Sequence, residues 1–320
     1  MLKKITKSKA FMLLVLLAVM CVIFSLGNKL YLSPNNLKNI MIASSLSGTV
    51  MVGILCLLIS GNIDLSAGAV GSMGALVTAL LINAGVPWFI ALLLCIIFGA
   101  CTGGVNAFLA YKFGINPFIG TLGMSSVWEG LTYIISGNQS ILMSNESFFK
   151  VGTSEILGIP LPFLYFAILS VIFGLILYYT KFGREIYMSG GNRMAARLAG
   201  VNIQKIGTIM MMNCSAIAAF AGAVLCARMK YVIPASVRGR EMDAITSAIL
   251  GGVSFMGGTG GTGGAFVGLL VLNAFSNGLE MWGVQAYWQI IASNLLLLVA
   301  LTVDYFNERA IRRNLQQKVG

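Results

Sequence analysis

The sequence predicts an all-α polytopic membrane protein with about ten transmembrane helices, an inverted-repeat-like organisation and both termini in the cytoplasm. The first observation is composition: 58% of the residues are hydrophobic and only 10% are charged, whereas soluble domains carry about 25% charged residues. The second is that apolar runs of roughly 20 residues, enough to cross a bilayer, recur along the chain. The third is that these runs are continuous, unlike the alternating segments of about ten residues in a membrane β-barrel.

We interpret residues 1–320 as a single transmembrane domain. The predicted spans lie near residues 10–27, 40–60, 65–84, 88–110, 117–136, 161–180, 207–227, 242–256, 264–280 and 286–304. An even number of spans puts both termini on the same side of the membrane.

The distribution of basic residues predicts which side that is. Of the 21 Lys and Arg residues, fourteen fall on the side of the termini, and cytoplasmic loops are the ones enriched in Lys and Arg. Four basic residues between positions 228 and 240 fall on the outer side, which would follow if one re-entrant pair of segments is misassigned. The net charge of +11 is scattered through short loops, so we expect membrane lipid and no nucleic acid as a partner.

A weak internal repeat is consistent with an inverted organisation. The Gly-rich stretches 99–109 and 264–279 each place an Asn near their end. The predicted topology runs these two stretches in opposite directions, as in the inverted repeats of many transporters.

The sequence lacks the residue patterns typical of metal binding, proton transfer by His and nucleotide binding. The chain has no His, the commonest metal ligand and proton shuttle, and its six Cys lie in apolar runs without metal-binding spacing. The Gly-rich run 257–264 lacks the Lys followed by Ser or Thr of a phosphate-binding loop. We therefore expect no catalytic residue, metal or cofactor in this chain, and we interpret the run as a tightly packed break between spans eight and nine.

A polar break separates the second and third predicted spans. Asn62, Asp64 and Ser66 lie in the stretch SGNIDLSAG, and Asp64 can accept hydrogen bonds from the amides freed at the start of the next helix. The break can be structural, or it can line a solute path, since irregular backbone at membrane depth is tolerated beside a cavity.

Three further acidic residues are candidates for a solute path. Glu129 lies in span five with no basic residue nearby in sequence, so it either faces an aqueous path or caps an interior amide. Glu241 and Asp243 begin span eight, where carboxylates favour the positive end of a helix.

The loop 181–206 contains a short predicted helix. Asn192 is a suitable N-cap, Gly200 a suitable C-cap, and the seven residues between them favour a helix. These residues are Arg193, Met194, Ala195, Ala196, Arg197, Leu198 and Ala199. Arg193 and Arg197 share one face and Met194 and Leu198 another. A helix this short needs a partner surface, either lipid headgroups or a cytoplasmic protein into which it docks as a lever.

Five motifs in order give the chain a recognisable pattern. They are LLISGNIDLSAGAVGSMGAL (57–76), NPFIGTLGM (116–124), GREIYMSGGNRMAARLAGVN (183–202), GREMDAITSAILGGVSFMGG (239–258) and Asn277-Gly278-Leu279, followed by Asp304. With this pattern the chain resembles the ribose-type sugar permeases, the membrane subunits of bacterial ABC importers. The departures are Asn62 where the family often has Gly and Met242 where Leu is usual.

The resemblance implies that transport requires several separate proteins. It implies a second permease copy or a homologous permease, a cytoplasmic ABC ATPase that holds ATP and Mg, and an extracytoplasmic sugar-binding protein. It also implies a bacterial inner-membrane location, a pathway between the two permeases, and contact of the 192–200 helix with the ATPase. We expect Arg193 and Arg197 to support that docking because they share an exposed face with no other partner. The alternative is an ion-coupled secondary transporter or channel that works without an ATPase.

Overall fold

The computed structural model describes residues 9–292 together with residues 294, 295, 298, 299 and 302. Its helices, in chain order, are α1 (Lys9–Gly27), α2 (Pro34–Ile59), α3 (Ala67–Asn83), α4 (Trp88–Lys112), α5 (Pro117–Ser136), α6 (Glu146–Thr153), α7 (Leu161–Tyr179), α8 (Lys181–Gly191), α9 (Arg193–Leu198), α10 (Ile203–Met229), α11 (Arg240–Leu250) and α12 (Thr262–Met281). Short antiparallel strands pair β1 (Ile141–Leu142) with β4 (Tyr231–Val232), and β2 (Glu155–Ile156) with β3 (Ile159–Pro160).

The architecture is that of a helical polytopic membrane protein. Five helices are long and apolar enough to cross a bilayer, namely α2, α4, α7, α10 and α12, and α1 and α3 contain shorter apolar helices. Of the first nine predicted spans, all but the eighth coincide with a helix along most of their length. The tenth predicted span, 286–304, lies partly outside the described residues. Residues 1–8 and 303–320 lie wholly outside them.

Helix α2 forms the centre of the bundle. From Ser44 to Ile59 every residue is buried except the half-buried Leu46. Helices α7, α10, α11 and α12 pack around it, so its inner half is surrounded by protein. Helices α4 and α7 leave much more of their surface exposed, as expected for helices that face lipid.

Glycines bring α4 and α10 close together. A Cβ atom on Gly99 would lie 2.6 Å from the Ser215 carbonyl oxygen, and one on Gly103 would lie 2.3 Å from the Met211 carbonyl oxygen. Helix association in lipid relies on van der Waals packing, and small residues allow the backbones to approach. These two glycines therefore fix the separation of the two helices.

The eighth predicted span, 242–256, is wrong as a membrane-crossing helix. Helix α11 has 11 residues, or roughly 16 Å at 1.5 Å per residue, about half the hydrocarbon thickness. It ends at two glycines, and Gly252 adopts a left-handed φ of 92°. Val253, Phe255 and Met256 extend the apolar run beyond these glycines, but they lie outside the helix.

The segment 231–239 is re-entrant. It starts at the strand pair β1–β4, level with the end of α3, where Asn83 donates to the Leu142 carbonyl at 2.9 Å. Its Val237 amide donates to the Ser72 hydroxyl at 3.0 Å, and Ser72 lies roughly 16 Å back along α3 at 1.5 Å per residue. Of the four basic residues at 228–240, Arg238 lies in this descending segment and Arg240 begins α11, whereas Arg228 and Lys230 lie at the end of α10. The descent therefore removes two of the four from the outer loop.

Two broken elements meet inside the bundle. Residues 60–66 connect α2 to α3, and residues 231–239 lead from α10 to α11. The first turns of α3 and α11 adjoin, since a Cβ atom on Gly68 would lie 1.9 Å from the Glu241 carboxylate. The glycine at position 68 therefore leaves room for the Glu241 carboxylate where the two helix starts approach each other.

Candidate functional site

The break at residues 60–66 is organised around the Asp64 carboxylate, which is completely buried. One oxygen, Oδ1, accepts from the Ser66 amide at 2.8 Å and from the Ser66 hydroxyl at 2.6 Å. The other, Oδ2, accepts from the Ser215 hydroxyl at 3.1 Å and from Asn106 Nδ2 at 3.3 Å. The prediction that Asp64 accepts a freed amide is confirmed, and the carboxylate joins the break to α4 and α10.

Asn106 and Ser215 were not predicted as partners of Asp64. They lie 42 and 151 residues away from it in sequence. Asn106 was noted only as the polar residue of a Gly-rich stretch, and Ser215 had no distinguishing signal. Asn62 is held in the same break: its Oδ1 accepts from the Tyr111 hydroxyl at 3.0 Å.

The start of α11 carries most of the remaining charge at depth. Glu129 forms an ion pair with Arg238, whose side chain is 66% exposed, so it has a basic partner that local sequence did not indicate, and its place beside an aqueous path stays a prediction. Its partner lies 109 residues away and could not be found from local sequence. Glu241 and Asp243 occupy the first turn of α11 as predicted. Asp243 accepts from Arg240 at 3.1 Å, while Glu241 Oε2 is buried without a hydrogen bond in the described part of the chain.

The predicted short helix is present as α9. Asn192 is its N-cap, with the side chain accepting from the Ala195 amide at 3.0 Å. The helix has 6 residues and Ala199 is its C-cap, so it ends one residue earlier than predicted. Gly200 follows with a left-handed φ of 80°, and its amide donates to the Arg197 carbonyl at 3.0 Å.

The faces of α9 differ from the expected arrangement. Arg193 donates from Nη2 to the Gly61 carbonyl at 2.8 Å, so the expectation that it has no other partner is wrong. Ala196 is buried against the protein, whereas Met194 and Leu198 are 68% and 84% exposed. The free surface of α9 is therefore an apolar pair, with Arg197 exposed beside it.

Three backbone segments meet beneath α9 in a cluster we call the glycine junction, formed by Gly61, Gly190, Gly257 and Gly258. The Gly258 amide donates to the Ile59 carbonyl at 2.9 Å. A Cβ atom on Gly190 would lie 2.0 Å from that same carbonyl oxygen and 2.7 Å from the Gly258 nitrogen. The tight packing predicted for the run 257–264 is confirmed at Gly257 and Gly258, which contact the end of α2 and α8, whereas Gly261 and Gly263 face open space.

Tyr187 of α8 strengthens this connection. Its hydroxyl donates to the Gly260 carbonyl at 2.7 Å. Burial raises the pKa of the Tyr187 phenol above its ordinary value, so the hydroxyl keeps the proton that it donates. The α8–α9 segment is thus joined to the end of α2 through Arg193 and to the α11–α12 connection through Tyr187.

Comparison with known proteins relates the chain to membrane permeases. Residues 36–301 match the family model described as the permease component of branched-chain amino acid transport systems. The ribose import permease protein RbsC of Bacillus subtilis is 32% identical over 290 residues, 90% of each chain. The D-allose permease AlsC of Escherichia coli is 32% identical over 291 residues, 90% of this chain and 89% of the relative. The L-arabinose permease AraH of Escherichia coli is 34% identical over 277 residues, 87% and 84% of the two chains. No solved structure gives a significant match.

Proposed function

The chain belongs to the ribose-type sugar permeases within the branched-chain amino acid transport permease family, and from this premise we propose that it forms the transmembrane pathway of an ATP-driven importer for a monosaccharide. The observation that supports the proposal most directly is the similarity to ribose, allose and arabinose permeases over about nine tenths of the chain. We place the protein in the bacterial inner membrane, paired with a second permease.

An importer of this family would need two further components, an ATPase and a sugar-binding protein. A separate ABC ATPase would hold ATP and Mg, and an extracytoplasmic sugar-binding protein would deliver the solute. Movement of the ATPase would act on α9 and pass through the glycine junction to α2 and to the α11–α12 connection. The backbone hydrogen bond between Gly258 and Ile59, the Arg193–Gly61 hydrogen bond and the Tyr187–Gly260 hydrogen bond provide the physical path.

The docking surface on α9 consists of Met194, Leu198 and Arg197. Met194 and Leu198 are exposed apolar side chains on a helix of 6 residues. Covering them with a protein partner removes apolar surface from water, which stabilises the complex. Arg193 supports docking indirectly, by fixing α9 to the end of α2.

Affinity purification from detergent-solubilised membranes of the native host tests this function. We expect a P-loop ATPase to accompany the chain, and recovery of the chain alone across several mild detergents would instead favour an ion-coupled transporter.

Replacing Leu198 with Glu should remove the ATPase from the complex. Leu157→Glu is a matched control, because Leu157 is 98% exposed at the β2–β3 turn, on the opposite side in the predicted topology. Equal ATPase recovery from both variants would contradict docking through α9.

A further inference from the structure

A cavity of about 190 Å³ lies inside the bundle between α2, α10 and the starts of α7 and α11. Arg228, in the last turn of α10, and Arg240, the first residue of α11, both line it. Thr49 also lines it, and that residue is roughly 22 Å along α2 from Pro34 at 1.5 Å per residue. The cavity therefore extends from near the end of α10 to about the middle of the bundle.

The cavity offers both hydrogen-bond acceptors and donors. Ser45 and Thr49 each donate their hydroxyl proton to a carbonyl of their own helix, at 2.7 Å in both cases, so their lone pairs remain available as acceptors. Arg240 donates one of its five N–H groups to Asp243. Within the described part of the chain, the Arg228 guanidinium forms neither a hydrogen bond nor an ion pair with a side chain.

A half-buried guanidinium without a side-chain partner is costly unless water or a solute reaches it, so Arg228 is expected to meet one in the cavity. Two guanidinium groups on one cavity disfavour a cationic solute. A solute without polar atoms would leave the donors unused, and a simple anion would leave the Ser45 and Thr49 lone pairs unused. Hydroxyl groups both donate and accept, and Leu46, Val224 and Leu225 give the cavity an apolar wall suited to the C–H face of a sugar ring.

We propose that this cavity is a solute site within each protomer, and that it binds a neutral polyhydroxylated solute of monosaccharide size during translocation. The proposal rests on the proposed function, and it adds a site inside the permease to the pathway expected between two permeases. Thr49 accepts a solute hydroxyl, Arg228 and Arg240 donate to solute oxygens, and Ala43 lies at the exposed mouth.

The test uses the complete importer, with its ATPase and binding protein, reconstituted in proteoliposomes and supplied with radiolabelled ribose, allose or arabinose. Import is measured at saturating binding protein, so that the rate reports the permease step. We expect Thr49→Val to slow import about three- to tenfold, the ordinary effect of one lost hydrogen bond, and Thr49→Ser to restore the native rate. Ala43→Trp should slow import at least tenfold by filling the mouth.

Thr102→Val is the matched control. Thr102 is buried and donates to the Gly99 carbonyl at 2.7 Å, the same kind of bond within a helix that Thr49 makes, but it lies outside the cavity. ATP hydrolysis by each complex monitors assembly. Native import rates in both Thr49→Val and Ala43→Trp would overturn the site while leaving the importer assignment intact. Failure of the native complex to import any of the three sugars would contradict the proposed function, and the site with it.

Discussion

Substitution of Gly190 by alanine tests whether the glycine junction holds the α8–α9 segment in place. The new Cβ atom would lie 2.0 Å from the Ile59 carbonyl oxygen, 2.7 Å from the Gly258 nitrogen and 3.0 Å from the Gly61 nitrogen. All three are backbone atoms, so no side-chain rotation can relieve the overlap. The backbone must separate, and the 2.9 Å hydrogen bond from Gly258 to Ile59 must lengthen or break.

The expected cost follows from these two effects. Overpacking in a close-packed region costs about 1–3 kcal/mol, and the lost hydrogen bond adds about 0.5–1.5 kcal/mol. Together they lower the free energy of unfolding by about 1.5–4.5 kcal/mol. We expect a lower thermal unfolding temperature in detergent, and a larger loss of sugar import than of ATP hydrolysis, because the junction connects α9 to the transmembrane helices.

Gly191→Ala is the control in the same helix. Its Cβ atom would be 3.7 Å from the Gly258 Cα atom, an ordinary contact, so we expect unfolding and import close to native. If Gly190→Ala matches Gly191→Ala in both measurements, the junction neither stabilises the fold nor couples α9 to the helices.

Three other substitutions test separate contacts. Asp64→Asn places an amide donor among the Ser66, Asn106 and Ser215 donors, and should cost about 1–3 kcal/mol; an unchanged unfolding temperature would show that something else holds the break. Burial raises the pKa of Tyr31 to about 12, so the stabilisation from its neutral form is complete below about pH 10 and is lost as the pH rises towards 12. The unfolding temperature of the native protein should therefore fall as the pH is raised from 9 to 11. The same change of pH should lower the unfolding temperature of Tyr31→Phe less, because that variant has no phenol to ionise. Arg193→Ala removes the bond to Gly61 and should reduce import while the ATPase still co-purifies; loss of the ATPase would instead make Arg193 a docking residue.

Local sequence predicted the features that depend on local physics. Apolar runs identified eight long helices at the right places because lipid requires about 20 apolar residues per crossing. The N-cap at Asn192 and the hydrogen bond from Ser66 to Asp64 join residues two or three positions apart, so short motifs were sufficient to find them. The length of α11 was missed because hydropathy continues past the glycines at 251 and 252 that end the helix.

Tertiary structure alone decided which polar groups meet. Glu129 pairs with Arg238 across 109 residues, and Arg193 binds Gly61 across 132 residues, while the cavity between Thr49, Arg228 and Arg240 draws on three separate helices. Sequence patterns were sufficient to predict a helical membrane protein with a short capped helix and a polar break, and the resemblance to a family indicated a permease. Which face each helix turns towards its neighbours depends on the packing of all of them together, and that packing determined the partners of α9, the glycine junction and the cavity.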